Sequence, residues 1–305
     1  MCKRIGLLLA IALLTLSCCN ASADGEIRQL PIDLSGGAPY TQKYSKDLEV
    51  YEDPSIRVER YRVQSKEWGC TYYYAIITIK DPSQLRTAPA DHKSFISTTR
   101  LPVTRIAKRV NAVLAINGDY TGAFSGQRSN SFVLRQGTVY RDTVEPNLDL
   151  LLIDEDGDFH VVTPDQLDLA AMDKTQIGGK RVVNAFQFGP ALVIDGEKVP
   201  DEVLLDYGRN PYYSQPDHRA QRLCIAQIGP LQYMVVCNAH YGTDLVTFRD
   251  LVLSIAPCQT VYTLDGGGST QMVFLGTKIN NVQTGEQEIR NITDIVYFCS
   301  AWFTD

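Results

Sequence analysis

The sequence predicts a strand-rich α+β domain, with a mixed or antiparallel sheet as its core and a few helices packed against it. Short apolar segments of strand length recur along the chain, separated by turns rich in Gly, Pro, Asn and Asp. Two segments, 102–110 and 248–255, show apolar residues at helical spacing. Because strands and helices do not alternate regularly, a Rossmann fold or a barrel is not expected.

The first residues of the chain indicate export. Lys3 and Arg4 precede an apolar run over 5–16, and Ala21-Ser22-Ala23 forms a small-x-small cleavage site, so a signal peptide is predicted over residues 1–23. The apolar run is too short for a transmembrane anchor. We therefore expect the mature chain to be periplasmic or extracellular.

A second way of leaving the cytoplasm is also compatible with this segment. Leu16-Ser17-Cys18-Cys19 loosely resembles a bacterial lipobox, so a lipid anchor at Cys18 or Cys19 is the alternative to soluble release. Either route places the protein outside the cytoplasm, in the second case attached to the cell envelope. No later apolar run is long enough for a membrane helix.

The composition is that of a globular protein that does not bind nucleic acid. Hydrophobic residues make up 44% of the chain and charged residues 21%, which is enough apolar material for a sizeable core. The net charge is −6, and it becomes about −8 when Lys3 and Arg4 leave with the signal peptide. A negative surface without a basic run repels polyanions, which argues against nucleic acid as a partner. The oligomeric state is left open.

The cysteines of the mature chain predict no metal site. They are widely spaced, with no CxxC pair and no His at ligand spacing, so we expect neither a metal nor another cofactor. Cys224 and Cys237 fall on two strands joined by a Gly229-Pro230 turn, where they either face each other or remain two buried thiols. The five mature cysteines are Cys70, Cys224, Cys237, Cys258 and Cys299.

The first half of the mature chain contains an arm, a strand, a helix and a buried strand. Residues 24–69 are polar and irregular, and we expect them to form an N-terminal arm on a domain that spans 70–305. Residues 71–80 are rich in Tyr and Ile and predict a strand. The helix over 102–110 leads into the continuous apolar run 112–116, which predicts a strand buried on both faces.

The second half is predicted to consist mainly of hairpins. Apolar segments are paired around turn residues such as Gln136-Gly137 and Asp195-Gly196. The helix over 248–255 ends before Pro257. The predicted strands lie at 132–134, 138–140, 150–153, 159–162, 191–194, 223–228, 232–237, 261–264, 272–275, 278–280 and 292–299.

One of these strands runs directly into an unusual loop. Residues 261–264 are followed by Asp265-Gly266-Gly267-Gly268-Ser269. A single glycine is enough for a turn, whereas three in a row leave the backbone amides bare of side chains. Such amides can bind an anion at close range. The loop therefore predicts a site for a phosphate or a sugar phosphate beside a carboxylate.

Three other segments interrupt their local pattern at a strand end. Asn117-Gly118-Asp119 follows a buried strand, Phe188-Gly189-Pro190 precedes a strand, and Arg222 opens one. Loops at strand ends commonly carry ligand groups, and a guanidinium matches a phosphate with two parallel hydrogen bonds. The alternatives are a capped turn for the first segment, a structural turn for the second and an exposed strand-edge cation for the third.

Five segments in order are Ala115-Ile116-Asn117-Gly118, Phe188-Gly189-Pro190-Ala191-Leu192, Arg222, Leu264-Asp265-Gly266-Gly267-Gly268-Ser269 and Arg290-Asn291. This set resembles the phosphodiester glycosidase domain family, from about residue 70 to the C-terminus. The family cleaves the glycosidic bond between the sugar and the phosphate of a sugar-1-phosphodiester. The resemblance implies an exported hydrolase that releases a sugar from a phosphorylated partner, on glycan or cell-envelope polymers.

The resemblance also implies a site, residue by residue. Asp265 acts at the anomeric carbon as base or nucleophile, Asp119 is the second carboxylate or orients sugar hydroxyls, and Arg222 holds the phosphate. His240 contacts the phosphate, acts as an acid or is an uninvolved loop residue, and Phe188 forms a wall of the pocket. The other implied substrate contacts are Asn117, Gly118, Gly266, Gly267, Gly268, Ser269 and Arg290.

Two positions depart from the family pattern. The family has an acid-Gly-Arg run where this chain has Asn238-Ala239-His240, and a Gly where it has Ala226. These departures leave open the sugar and the group beyond the phosphate. Two alternative functions also remain open. One is a non-catalytic module that binds phosphorylated glycans, and the other is a phosphodiesterase that cuts the P–O bond, typically with a metal.

Overall fold

Strands make up 43% of the chain and three α-helices occur among the described residues, which confirms the predicted strand-rich α+β class. The structure is a computed structural model that describes residues 26–118, 131–165, 168, 170–207, 216–239, 241–281 and 289–303. Within these ranges, no helix is long and apolar enough to cross a membrane.

The described part of the chain begins and ends with short strands. The helices are α1 (Val103–Arg109), α2 (Asp201–Leu204) and α3 (Leu245–Ile255). The strands are β1 (Ile27–Arg28), β2 (Val50–Glu52), β3 (Ile56–Ser65), β4 (Cys70–Ile79), β5 (Leu85–Pro89), β6 (Ala112–Asn117), β7 (Val133–Arg135), β8 (Thr138–Arg141), β9 (Leu150–Asp154), β10 (Phe159–Val162), β11 (Gln176–Ile177), β12 (Lys180–Phe186), β13 (Ala191–Ile194), β14 (Glu197–Lys198), β15 (Leu223–Gly229), β16 (Gln232–Ala239), β17 (Thr260–Leu264), β18 (Met272–Phe274), β19 (Thr277–Lys278), β20 (Asp294–Cys299) and β21 (Trp302–Phe303).

These strands pair antiparallel throughout, in three sheets and one separate pair. The largest sheet has the order β14-β13-β17-β15-β16-β4-β3-β2. A five-stranded sheet has the order β19-β18-β6-β20-β5. The third sheet has the order β10-β9-β12-β7-β8 with β11 beside β12, and β1 pairs with β21.

The main core lies between the eight-stranded sheet and the other two large sheets. Side chains alternate between the two faces of β4, and Ala75 and Ile77 point into this core without exposure to solvent. Leu114 of β6 and Leu151 of β9 meet them from the facing sheets, also fully buried. A chain with 44% hydrophobic residues thus fills a core shared by three sheets.

Both predicted helices are present, and each covers the outer face of one sheet. α3 begins where the Asp244 side chain accepts a hydrogen bond of 2.7 Å from the Thr247 N–H, which satisfies a free amide of the first turn. Its apolar residues, such as Phe248 and Leu251, cover the eight-stranded sheet. Ile106 of α1 is buried in the cluster on the outer face of the five-stranded sheet.

Residues 50–65 are not the irregular arm that was expected. β3 pairs with β4 over its full length, so the eight-stranded sheet continues upstream of residue 70. Ile56 and Val58 are buried while Arg57 and Glu59 between them face outward, which is the alternation of a half-buried strand. The charged residues obscured this alternation in the sequence.

Among the strands that were not predicted, β5 and β12 were missed because the fold buries polar side chains within them. Thr87 in β5 donates a hydrogen bond of 2.8 Å from its hydroxyl to the Asn184 side chain in β12, and both residues are buried. The buried Arg86 guanidinium donates to the Asp33 and Ser35 carbonyls, at 3.0 Å each. Hydrogen bonds between buried polar groups of distant segments cannot be predicted from the sequence of either strand alone.

The register also decides between the two alternatives for the cysteine pair. Cys237 pairs with Leu223, and Cys224 pairs with Val236, so the two cysteines point to opposite faces of the sheet. Cys224 belongs to the cluster under α3 and Cys237 to the main core. The facing arrangement is therefore wrong, and all five cysteines of the described residues are buried free thiols.

Candidate active site

The glycine-rich segment 265–271 connects the two sheets that enclose the main core. β17 ends at Leu264 in the eight-stranded sheet, and β18 begins at Met272 in the five-stranded sheet. Two backbone hydrogen bonds of 3.1 Å close a 3-10 turn over Gly267–Ser269. The loop that the sequence singled out is therefore a short, hydrogen-bonded passage between sheets.

Close contact with Gln221 explains two of the three glycines. A Cβ atom at Gly266 would lie 2.4 Å from the Gln221 carbonyl oxygen, which no side chain tolerates. Gly267 has a φ of 57° and donates its N–H to the same oxygen at 2.9 Å. The Gly267 amide is therefore already hydrogen-bonded within the protein. Glycine at positions 266 and 267 allows this loop to pack closely against the backbone at Gln221.

Asn117, at the end of β6, fixes both ends of this loop. Its side-chain N–H donates to the Asp265 carbonyl at 2.8 Å, and its side-chain oxygen accepts from the Gln271 N–H at 3.0 Å. The side chain is completely buried. Because these two bonds occupy both ends of the amide, Asn117 positions the loop that carries Asp265.

Asp265 is a buried carboxyl group with a strongly altered pKa. Only 6% of the residue is exposed, and burial raises the pKa of its carboxyl group to about 6. The Ser269 hydroxyl, the positive charge of Arg290 and the Gly266 amide each act in the opposite direction and favour the carboxylate. The group therefore changes its charge close to neutral pH.

Two hydroxyls in the loop that carries Asp265 are buried without a hydrogen-bond partner among the described residues. They are Ser269 Oγ and Thr270 Oγ1. The Ser269 hydroxyl is near enough to lower the pKa of Asp265, but its geometry falls short of a full hydrogen bond to the carboxyl group. An unsatisfied buried hydroxyl costs about 1–3 kcal/mol, so Ser269 Oγ beside a titrating carboxyl group is a group that a bound ligand would satisfy.

Arg290 is joined to the same loop through its backbone. Its N–H donates to the Gly268 carbonyl at 3.0 Å, and its carbonyl accepts from the Gln271 side chain at 2.9 Å. Its positive charge lowers the pKa of Asp265. The structure thus brings Asn117, Asp265, Ser269 and Arg290 together at one loop, and their roles toward a substrate stay predictions.

Arg222 lies at the same sheet edge but is directed toward a neighbouring segment. Its Nη2 donates to the His218 carbonyl at 3.0 Å and its Nε to the Thr243 carbonyl at 3.3 Å. Burial lowers the pKa of the guanidinium to about 10, against the attraction of Asp244. The Asn238 side chain, in the run that departs from the family, accepts from the Arg222 N–H at 2.7 Å.

A buried ion pair beside Gly118 was missed by the sequence analysis. Arg135 Nε lies 3.3 Å from Asp294 Oδ2, and both side chains are buried. Gly118 donates its N–H to the Asp294 carbonyl at 3.0 Å, and a Cβ at this glycine would lie 2.7 Å from Asp294 Oδ1. The only sequence signal was a charged residue in each of two otherwise apolar strands.

Phe188 is buried in a segment that runs beside the end of β17. Its N–H donates to the Tyr262 hydroxyl at 2.8 Å. The Pro190 carbonyl accepts from the Thr263 N–H at 3.2 Å and from its hydroxyl at 2.8 Å. The segment therefore lines the strand that leads to Asp265, and the role of Phe188 as a pocket wall stays a prediction.

Two predicted site residues, Asp119 and His240, lie outside the described residues. Gly118, which precedes Asp119, directly follows β6, and Ala239, which precedes His240, ends β16. The roles given to Asp119 and His240 therefore stay predictions. Within the described ranges, no group of three or more His, Cys, Asp and Glu side chains is arranged to hold a metal ion.

Comparison with known proteins assigns this site to a family. The sequence profile of phosphodiester glycosidases matches residues 110–299, more than half of the chain. The chain belongs to the phosphodiester glycosidase family. This confirms the resemblance seen in the five segments, and the matched range contains every predicted site residue. A comparison with curated protein sequences finds no match.

Solved structures of similar fold include one member with a named activity. The zebrafish N-acetylglucosamine-1-phosphodiester alpha-N-acetylglucosaminidase catalytic domain, auto-inhibited by its pro-peptide, is similar over 85% of this chain and 87% of that chain, with 16% identity and a TM-score of 0.63. A hypothetical protein from Synechocystis is similar over 80% of this chain and 62% of that chain, with 14% identity and a TM-score of 0.52. Both similarities show that the fold is shared.

Replacing Asn117 by Ala should destabilise the phosphodiester glycosidase domain. The substitution leaves the Asp265 carbonyl and the Gln271 N–H buried and unpaired, so we expect the free energy of unfolding to fall by about 2–4 kcal/mol. Urea unfolding measures this change. The matched control is Asn147→Ala at an exposed position, for which we expect a change within about 0.5 kcal/mol. An equally small change in Asn117→Ala would contradict the role of the amide.

Proposed function

We propose that this protein hydrolyses the glycosidic bond of a sugar-1-phosphodiester and so releases the sugar from a phosphorylated partner. The observation that carries the proposal is the buried Asp265 carboxyl group, with its pKa raised to about 6, in a loop whose Ser269 and Thr270 hydroxyls have no hydrogen-bond partner among the described residues. Membership of the phosphodiester glycosidase family supports the reaction class. The zebrafish relative named for N-acetylglucosamine-1-phosphodiester supports an N-acetylated hexose as the first sugar to test.

The proposed reaction places positive charge on the sugar and negative charge on the phosphate. The bond between the anomeric carbon and the bridging oxygen breaks, and its electron pair leaves with the phosphate monoester. Asp265 acts at the anomeric carbon, either as the base that takes a proton from the attacking water or as the nucleophile that is later displaced by water. Both roles require the carboxylate form. A phosphate monoester leaves readily, so a dedicated acid is less important than for an ordinary glycoside.

Groups around the loop supply the complementary positive charge and hydrogen-bond donors. We assign the phosphate to the side of Arg290 and the hydroxyls of Ser269 and Thr270, because these hydroxyls have no partner within the described part of the chain and Arg290 already attracts the Asp265 carboxylate. Arg222 adds positive charge at the same sheet edge and donates to the carbonyls of His218 and Thr243. Asp119 and His240 keep the proposed roles of second carboxylate and phosphate contact or acid.

The place of action is proposed from the N-terminal residues. The predicted signal peptide over 1–23 directs the protein outside the cytoplasm, with a lipid anchor at Cys18 or Cys19 as the alternative. Substrates in that compartment include phosphorylated glycans and polymers of the cell envelope.

Hydrolysis in ¹⁸O-labelled water tests the proposal against both alternatives. With the methyl ester of N-acetylglucosamine-1-phosphate, we expect free sugar and methyl phosphate without ¹⁸O, because water attacks the anomeric carbon. Phosphorus NMR detects ¹⁸O in the phosphate through its isotope shift. Labelled phosphate would instead identify cleavage of the P–O bond, and binding without any product would identify a non-catalytic phosphoglycan-binding module.

Replacing Asp265 by Asn should abolish most of this activity. The variant keeps the size of the side chain and removes the base or nucleophile, so we expect kcat/KM to fall by at least about a hundredfold. The matched control is Asp195→Asn, an exposed residue in a turn, which should retain activity. Turnover by Asp265→Asn within a few-fold of the wild type would remove this residue from the mechanism.

The altered pKa of Asp265 should appear in the pH dependence of both activity and stability. Because the carboxylate is the active form, kcat/KM should rise with pH up to about 6 and level off above it. The folded pKa is raised, so the folded state holds this proton more tightly than the unfolded state. The stabilisation is complete near pH 4 and is lost as the pH rises through about 6.

Urea unfolding at pH 4.5 and pH 8 checks the sign of this linkage. Asp265→Asn cannot ionise, so its stability relative to the wild type should be higher at pH 8 than at pH 4.5. A relative stability that does not depend on pH would show that the carboxyl group titrates normally.

A further inference from the structure

Three tyrosines stack on the outer face of the eight-stranded sheet, at its margin. Tyr61 of β3 and Tyr74 of β4 are register partners, with ring centroids 4.5 Å apart and planes 13° from parallel. Tyr72 follows on the same face of β4, with its ring centroid 6.1 Å from that of Tyr74. We call these three residues the tyrosine platform.

The outermost ring of the platform is both exposed and fixed in orientation. Tyr61 is 37% exposed, although one face of its ring covers Tyr74. Its hydroxyl donates to Glu59 Oε2 at 3.0 Å, and Arg57 in turn bonds Glu59 Oε1 at 3.0 Å. The hydrogen bond from Arg57 lowers the pKa of Glu59, so this acceptor stays charged at neutral pH. A ring held in this way loses little freedom when a ligand stacks on it.

Sheet stability alone explains part of this arrangement. Cross-strand aromatic pairs stabilise antiparallel strands, which accounts for the contact between Tyr61 and Tyr74. It does not account for an exposed aromatic face whose hydroxyl is fixed by a charged acceptor. A partly exposed amphipathic ring with a polar edge is suited to a ligand that is both apolar and hydroxylated.

The platform is linked to the strand end that carries Asp265 by the register of the sheet, along a row of buried residues. Tyr72 pairs with Asn238, whose side chain accepts a hydrogen bond from the Arg222 N–H. Leu223, which follows Arg222, pairs with Leu264, which precedes Asp265. The row from Tyr72 to Asp265 therefore crosses three strand spacings, or about 14 Å. At the hairpin tip, Arg219 Nη2 donates to the Gly69 carbonyl at 3.2 Å and joins β4 to the segment before Arg222.

We propose that the tyrosine platform binds the glycan chain of the substrate, through neutral pyranose rings that stack on Tyr61. The apolar C–H face of a pyranose covers an aromatic ring while its hydroxyl groups bond to the polar rim formed here by Arg57 and Glu59. This inference rests on the proposed function, which it extends from a single sugar phosphate to a polymeric substrate whose chain reaches beyond the cleavage site.

Binding of neutral hexasaccharides tests this inference without any turnover. The probes are a panel of α- and β-linked hexasaccharides of glucose, mannose and N-acetylglucosamine, none of which contains a phosphodiester. We expect at least one to bind the wild type by isothermal titration calorimetry. Tyr61→Ala should then bind about tenfold more weakly, which is the size of one stacking contact, and Tyr61→Phe within about twofold of the wild type.

Two controls separate loss of the aromatic face from loss of the fold. Tyr61→Leu keeps apolar bulk in the sheet and should show the same tenfold loss. Phe303→Ala removes an equally exposed ring, 38% against 37%, at a different edge and should bind like the wild type. Turnover of the small methyl phosphodiester should be unchanged in Tyr61→Ala, because that substrate does not reach the platform.

The outcomes for the platform and for the hydrolase can be told apart. Hexasaccharide binding that depends on Tyr61 supports the platform even if no phosphodiester is cleaved. Absence of binding to every member of the panel, or equal binding by wild type and both Tyr61→Ala and Tyr61→Leu, overturns the platform while leaving any measured hydrolysis intact.

Discussion

The candidate site depends on one buried amide, that of Asn117, which joins the two ends of the loop between the large sheets. Asn280 repeats the arrangement nearby: its side chain donates to the Thr270 carbonyl at 2.9 Å and accepts from the Met272 N–H at 2.7 Å. Two asparagine side chains thus form the hydrogen bonds to the loop backbone that a neighbouring strand would form within a sheet. Several backbone groups of the loop are satisfied in this way, whereas the hydroxyls of Ser269 and Thr270 have no partner among the described residues. The loop is therefore held in place by its backbone rather than by its own side chains.

Burial of Asp265 makes its carboxyl group more basic at a cost in stability. A carboxyl group withdrawn from water is a stronger base than one on the surface, and the same withdrawal disfavours its charged form. Arg290 and the Gly266 amide limit this cost without removing it, since the pKa remains above the ordinary value. Enzymes commonly accept local destabilisation of this kind at the groups that react.

Local patterns predicted much of the fold and part of the site. The apolar run of β6, the helical spacing of α3 and the Asp265 loop could all be read from neighbouring residues, because each is defined within a few positions. The carboxyl group, the loop and Arg290 were expected together, and the structure brings them together.

The rest depends on pairing between distant parts of the chain. The Arg135–Asp294 ion pair joins residues 159 positions apart, and no local pattern encodes such a contact. Whether Cys224 and Cys237 face each other depends on the strand register, because an offset of one residue moves a side chain to the opposite face of the sheet. For Asn117, the sequence indicated a functional strand end, but the two groups that its amide binds appear only when both sheets are in place.

The contact between Gly118 and Asp294 has a consequence for how position 118 can vary. The Asp294 carboxylate occupies the space in which any Cβ at this position would lie, so every other residue type has to displace a buried group that also forms an ion pair with Arg135. Variation at position 118 is therefore coupled to the Arg135–Asp294 pair, and a substitution at one of the three positions is felt at the other two.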